Sequence, residues 1–449
     1  MINGQESVII KKIILSVTGI LALFLCSCTI TQEENGLIKN KKELDRILDK
    51  HITDGSYPFL YAHIENLDGE IIYQHGSVNN DIFPNLKVTK DTWIRIWSMS
   101  KIVTISIIMD LVEDKIIGLE DPVSDYIPEF SKLKVAMSQT GISLSKYANA
   151  DFVSSPEFID NSDPCPIDFI ETDSLMKVAH LVNHKAGFYY ANTKIPCLDS
   201  LSYDADITMA RDSENLIKVL SDMPLIHHPG ERYHYGLNTT VLGLVAERAT
   251  GKTLDQIFRE RISEPFGIQD FQYKLPDSVK LISPVTGRDG HLRKARPGEL
   301  DIMGSNVPQY DYRQPLFLGG EGMLATADGY ADYLRILLNN GKLNHHRFLN
   351  EKTLKKMFSN VETKDNYGGS TGFGLYITGR FIKKYGKGDS GLLQGGGYEG
   401  TSFWIDPKRK FVGILMTQVN QSPDHVGLGS GVYDEFRGAL YQRLFNDDK

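Results

Sequence analysis

Clustered positive charge is what this 449-residue chain lacks most visibly. Its 49 Lys and Arg are outnumbered by 57 Asp and Glu, for a net charge of -8. No basic run concentrates what cationic charge there is. Nucleic acid, whose phosphates demand Lys/Arg clusters, is therefore not an expected partner. Cysteine is also sparse, with four residues and no C-x-x-C or Cys/His ligand spacing, which argues against structural zinc. The pairs His227-His228 and His345-His346 lack i, i+4 spacing and nearby carboxylate ligands, so they do not read as metal ligands. No metal and no cofactor is expected. Internal repeats and low-complexity tracts are absent, and so is the G-x-S-x-G elbow of α/β-hydrolases. With 41% hydrophobic and 24% charged residues, the composition excludes wholesale disorder and a multi-span membrane protein.

The first thirty residues differ from the rest. Lys11-Lys12 precede an apolar run from Ile13 to Leu25, shorter than the ~20 residues a spanning helix needs. Charged flank and apolar run fit a secretory signal. Leu25-Cys26-Ser27-Cys28 resembles the bacterial lipobox, which implies acylation of Cys28 after removal of residues 1–27. An uncleaved anchor helix with two incidental thiols is the competing reading. Thr29, rather than Asp, follows Cys28, which resembles outer-membrane sorting. Residues 28–45 then read as a tether, and the expected address is the cell envelope, with contact to the membrane through the lipid. The two other cysteines, Cys165 and Cys197, are either a disulfide or two free thiols.

Beyond the tether, Phe59 to Asn66 and Glu70 to His75 read as strands around Asp68-Gly69, a strong hairpin signal. Thr401 to Ile405 and Phe411 to Thr417 read as another antiparallel pair around Asp406-Pro407. Helical periodicity marks Met176 to Val182, Val241 to Ala249, Ala327 to Leu338 and Tyr433 to Phe445. The stretch 137–173 has no clean period and is rich in Ser, Asp, Asn and Pro, so it reads as a long surface excursion.

One segment carries the material for chemistry. In Ser98-Met99-Ser100-Lys101 the serine and lysine are three apart, ahead of an apolar run expected to be a buried helix. That spacing sets the Lys101 amine against the Ser98 hydroxyl. Burial among apolar side chains is expected to lower the lysine pKa, so that a neutral amine can take the serine proton. By itself S-x-x-K is a weak signal.

Its surroundings strengthen it. Thr92 to Lys101, Leu119 to Phe130, His180-Leu181-Val182-Asn183-His184-Lys185-Ala186-Gly187-Phe188 and Gly319-Gly320-Glu321-Gly322-Met323-Leu324 follow one another in the order of a known family. Together they resemble the serine β-lactamase-like superfamily: class C β-lactamases, D-Ala-D-Ala carboxypeptidases and family VIII esterases. The resemblance covers about residues 55 to 445. It implies that Tyr235 is the site tyrosine, sharing the proton work with Ser98 and Lys101. Leu237 stands where the family's Y-x-N asparagine belongs, with Asn238 one place late, which disfavours amide substrates. The third motif maps onto Gly395, Gly396 and Gly397, with Gln394 adjacent, as the substrate-binding edge. The amides of Ser98 and Tyr398 would form the oxyanion hole.

The resemblance implies an α/β fold of α+β type, β-lactamase/transpeptidase-like, with an antiparallel sheet from both chain ends. The domain is expected over 46–449: an α/β lobe (46–118 and 315–449) and an inserted, mostly helical lobe (119–314). The expected activity is that of an esterase-like serine hydrolase acting through an acyl-enzyme on a small ester or amide. A D-alanyl or other peptidoglycan peptidase, a weak β-lactamase and a non-catalytic penicillin-binding-like envelope protein are the rivals.

Overall fold

The computed structural model describes residues 41–144, 164–287, 291–296, 299, 315–359, 363–364, 368–370, 373–378, 391–421 and 430–444. The expected signal peptide, Cys28 and most of the tether lie outside the described residues. The tether ends earlier than position 45. Helix α1, Lys41–Thr53, buries Leu44, Leu48 and Ile52, spaced four apart on one face. It packs on the second strand of the sheet and on the last helix, where His51 meets Glu435 at 2.9 Å. The folded unit therefore includes α1, and residues Asn40–Lys449 form one compact unit.

Five strands carry the main sheet: β1 (Phe59–Asn66), β2 (Ile71–Val78), β3 (Leu393–Gly396), β4 (Ser402–Asp406) and β5 (Phe411–Met416). The order runs β3-β4-β5-β1-β2, all antiparallel, and the short strands Tyr376–Thr378, Gly368–Ser370 and Thr363–Lys364 extend it beyond β3. The β1–β2 hairpin and the β4–β5 hairpin are thus joined edge to edge, as the two termini of the sequence require. Alternation distributes the aromatic side chains between the faces. Trp404 meets Tyr433 of the last helix, whereas Phe403 meets Tyr330 on the other side. Both faces are covered, which is why β5 is buried throughout.

Four further helices position the site: α2 (Ser100–Glu113), α3 (Asn238–Thr250), α4 (Ala327–Leu338) and α5 (Ser430–Leu444). Every residue of α2 from Ser100 to Leu111 is buried. α3 packs on α2, while α4 lies on β5 and sends two hydroxyls to the start of α2. Tyr330 donates to the Met99 carbonyl at 3.0 Å and Tyr333 to that of Ile102 at 3.1 Å. A small sheet completes the frame, pairing Ile94–Arg95 with Leu324–Ala325, and the latter with Phe271–Gln272.

The described residues of the segment 119–314 hold helices such as Pro196–Ala205 and Ser213–Ser221 and also strands. Val285–Gly287 pairs in parallel with Val419–Gln421, linking the insert back to the chain end. The excursion 137–173 is structured at both ends, where Lys134–Ser138 pairs with Ile167–Glu171. Four of the five residues Ile167–Glu171 are exposed, so no buried alternation betrayed the strand. Its middle, 145–163, lies outside the described residues.

Cys165 and Cys197 are joined in a disulfide across a sequence separation of 32. The bond ties the chain just before strand Ile167–Glu171 to helix Pro196–Ala205. Closing a loop of this size restricts the unfolded chain by roughly 3–4 kcal/mol. Replacing both cysteines with serine is therefore expected to lower the urea unfolding free energy by about 3 kcal/mol; an unchanged midpoint and slope would contradict this.

Candidate active site

Ser98 is not inside α2 but in the short 3-10 turn Trp97–Met99 that leads into it. Trp97 holds a positive φ of 47°, a costly conformation for a bulky residue. Several contacts stabilise it: the Arg95 guanidinium lies 3.8 Å above its ring and Tyr398 packs edge-on at 5.2 Å. The turn lifts Ser98 to partial exposure while Ser100 stays fully buried, accepting a bond from the Met323 amide at 3.1 Å. Of the two serines in the motif, only Ser98 faces the lysine.

The Lys101 ammonium lies 3.1 Å from Ser98 Oγ, and Tyr235 OH lies 2.8 Å from the same oxygen. The three residues read as a catalytic group in the sequence are brought together. Lys101 itself is 2% exposed. It also donates to Tyr190 OH at 2.9 Å, the Gly320 carbonyl at 3.0 Å and Glu321 Oε1 at 3.1 Å. The expectation that burial would lower the lysine pKa is overturned. Burial does press against the ammonium, but the Glu321 carboxylate and then Tyr235 outweigh it, so Lys101 stays above the usual lysine range.

Glu321, 3% exposed, was missed. Tyr190 donates to its Oε1 and Thr240 to its Oε2, so each carboxylate oxygen has partners. The available signal was a charge inside a glycine-rich turn, Gly319-Gly320-Glu321-Gly322, where a side chain that long has to be buried or stretch away. His184 was quoted as part of a motif but given no role. Its imidazole stacks on the Tyr235 ring, 4.9 Å between centroids and 19° from parallel. Burial, followed by the Lys101 charge, pushes the His184 pKa down to about 3, so the ring supports Tyr235 as a neutral plate.

At the rim, the sequence expectations fare unevenly. Asn238 is fully buried, donating to the carbonyls of His234 and Phe188 at 3.2 and 3.3 Å. The one-residue slip does point it inward, away from any substrate. Gln394 is a correction: its side-chain oxygen accepts from Arg437 at 2.6 Å and from Tyr433 at 3.2 Å, both on α5. It braces the last helix and is not presented as a substrate ligand. Gly395 and Gly397 answer to packing within the protein. A Cβ on Gly395 would strike the Phe403 ring at 2.6 Å, and one on Gly397 the Ile96 carbonyl at 2.5 Å. Gly396, by contrast, meets only the Thr401 carbonyl, at 3.1 Å. Tyr398 reaches the Ser98 turn through its ring contact with Trp97.

Metal ligands group once among the described residues: His63, Glu65 and Asp328 offer atoms within 4.8 Å of one another. Both carboxylates are already engaged, Glu65 with Arg335 and Asp328 with Lys90, each at 2.7 Å. That leaves little negative charge for a cation.

The model of the Beta-lactamase family matches residues 44–431. Esterase EstB of Burkholderia gladioli is 23% identical over 419 residues, spanning 89% of this chain and 95% of the esterase. EstCE1, a hydrolase with promiscuous acyltransferase activity, aligns with a TM-score of 0.70 at 22% identity over 89% of this chain and 98% of its own. Unliganded simvastatin synthase LovD of Aspergillus terreus aligns with a TM-score of 0.67 at 20% identity, over 90% and 98%. Both structures share the fold anticipated from the motifs.

The buried pair makes a stability prediction. Lys101→Met should cost about 3–5 kcal/mol in urea unfolding, because Glu321 is left buried without its cation. Lys101→Met combined with Glu321→Met should recover most of that loss. Equal destabilisation by the single and double variants would contradict the pairing.

Proposed function

The chain belongs to the Beta-lactamase family, and on that premise we propose that it hydrolyses small-molecule esters through an acyl-enzyme on Ser98. The carrying observation is the convergence of Lys101 Nζ and Tyr235 OH on Ser98 Oγ, at 3.1 and 2.8 Å. Ser98 Oγ attacks the ester carbonyl carbon, and its proton passes to the Lys101–Tyr235 pair. The carbon–oxygen bond of the ester breaks, and the departing alkoxide takes the proton back from the pair. Water then repeats the attack on the acyl-enzyme and frees Ser98. The amides of Ser98 and Tyr398 are the assigned oxyanion donors, each contributing a few kcal/mol as is usual for such groups.

Esters are preferred over amides because the rim lacks the side chains that would grip an amide. Leu237 replaces the motif asparagine, Asn238 is occupied inside the lobe, and Gln394 is held by α5. The relative EstB is an esterase, which supports the same choice. The acyltransferase activity of EstCE1 favours a second outcome, in which an alcohol replaces water at the last step.

Incubation with a fluorophosphonate is expected to add one mass label to the wild type and none to Ser98→Ala. Tyr235→Phe should slow labelling on the order of 10²-fold or more. Short-chain p-nitrophenyl esters should turn over, whereas D-Ala-D-Ala peptides should not. A folded wild type that takes no label would refute Ser98 as nucleophile and leave the scaffold reading standing.

We also place the enzyme at the cell envelope, held by a lipid on Cys28 and sorted to the outer membrane. The support is the sequence alone: Lys11-Lys12, the short apolar run and the lipobox-like Leu25-Cys26-Ser27-Cys28. Full-length protein from cells fed an alkynyl fatty acid should carry the label and partition into detergent. Cys28→Ala should do neither; retained labelling in that variant would refute the site.

A further inference from the structure

We propose that Glu399 is a positioning residue for ester cleavage: its carboxylate and its carbonyl together hold the turn between β3 and β4, and with it the Tyr398 amide, in place beside Ser98. The inference rests on reading Ser98 as nucleophile and the Tyr398 amide as an oxyanion donor, and concerns what fixes that donor.

β3 and β4 stay paired as far as Gly396 and Ser402, so the five residues from Gly397 to Thr401 form the turn. Two backbone bonds close it, from the Gly397 amide to the Thr401 carbonyl at 2.8 Å and from the Gly400 amide to the Gly397 carbonyl at 3.0 Å. Neither bond engages Tyr398 or Glu399, the two residues at the tip. A glutamate in such a place ordinarily points into solvent. Glu399 is instead 1% exposed. Its Oε2 accepts from Gln418 Nε2 at 2.9 Å, and its carbonyl accepts from the Val419 amide at 2.9 Å. The tip is thereby gripped twice, by two consecutive residues of the chain that leaves β5.

That chain is itself anchored. Gln418 is fully buried, its carbonyl accepts from the Val285 amide at 3.2 Å, and Val419–Gln421 runs parallel to Val285–Gly287. Other contacts of the turn go to the residues that lead into Ser98. The Tyr398 ring meets Trp97 at 5.2 Å, and Gly397 lies so near Ile96 that a Cβ would come within 2.5 Å of its carbonyl. The peptide carrying the Tyr398 N–H is thus fixed on one flank by Ile96 and Trp97 and, one residue on, by Glu399. Glu399 Oε1 has no protein hydrogen-bond partner among the described residues, so the Gln418 bond is what orients the side chain. A buried carboxylate held this sparely costs stability relative to an apolar residue of similar size. Its return is a fixed turn, since an oxyanion donor displaced by about 1 Å can lose on the order of 10²-fold in rate.

The test compares kcat/KM on p-nitrophenyl butyrate and on its thionoester, in which sulfur replaces the carbonyl oxygen. Sulfur is larger and a weaker acceptor, so the thionoester draws little on the oxyanion donors. Glu399→Met should fold with unchanged or higher stability, lose about 10²-fold on the ester and less than about threefold on the thionoester. Glu399→Gln still accepts from Gln418 and should stay within about tenfold of the wild type on the ester. An ester rate in Glu399→Met within about threefold of the wild type would overturn the proposal, as would equal losses on both substrates, the mark of general damage. A loss in Glu399→Gln as large as in Glu399→Met would overturn it too. Where Glu399→Met does not fold, Glu399→Met combined with Gln418→Met, which removes both partners of the bond, decides by the same ratio. A wild type that turns over neither substrate removes the proposed function and this inference together, whereas turnover with an unchanged ester-to-thionoester ratio in the variant removes only this one.

Discussion

An ammonium buried inside an apolar helix cannot stand alone, and the site is organised around meeting that demand. Helix α2 is buried along nearly its whole length, and Lys101 is its one cation. Desolvating such a charge costs several kcal/mol even after relaxation. Attraction to Glu321, a carbonyl and a phenol offsets the cost only if all three are held in place. Segments near positions 101, 190, 235 and 320 are therefore drawn to one point by a local electrostatic requirement. The same requirement makes the site rigid, because moving any of these groups uncovers a buried charge.

The scaffold supplies that rigidity from two directions. Strand Ile94–Arg95 pairs with Leu324–Ala325, so the turn carrying Ser98 and the loop carrying Glu321 issue from neighbouring strands. The Ile96 amide bonds to the Met323 carbonyl at 3.2 Å, and the Met323 amide returns to Ser100 Oγ. From the other side, α4 fixes the start of α2 through the hydroxyls of Tyr330 and Tyr333. The strained Trp97 backbone is held between Arg95 and Tyr398, which couples the turn carrying Ser98 to the loop between β3 and β4 through aromatic packing. Preorganisation of this kind is what electrostatic catalysis requires, since the groups need not reorganise when charge develops.

Much of this was legible in the sequence, for identifiable reasons. The hairpins at both ends carry β-branched and aromatic alternation around Asp-Gly or Asp-Pro, and both hairpins are present. Helix Ala327–Leu338 has the expected boundaries because Thr326 caps it, accepting from the Gly329 amide. Ser98 and Lys101 were legible from their local spacing and Tyr235 from the resemblance of its flanks, and the structure brings the three together. What escaped was long-range. The lysine's protonation state was misjudged because desolvation follows from composition, whereas a counter-charge 220 positions away does not. Strand Ile167–Glu171 escaped because its side chains face solvent, and Gln394 because adjacency in sequence says nothing about which side of a strand a residue takes.

Inside the site, the groups around Lys101 are paired and their roles are constrained. At the rim, the residues aligned with substrate-recognition motifs are consumed by the protein itself: Asn238 by loop carbonyls, Gln394 by α5, Gly395 and Gly397 by close packing. The geometry around Ser98 is thus tightly specified, while grip on a particular acyl group or leaving group is not supplied by those motifs. Such a site selects by reactivity and fit more than by directed hydrogen bonds, which suits esters, whose alkoxides leave more readily than amines. It also makes the fate of the proposed acyl-enzyme a question of access. Water and an alcohol present the same attacking oxygen, and the same Lys101 and Tyr235 serve either. Whichever acceptor reaches the acylated Ser98 more often determines whether the outcome is hydrolysis or transfer.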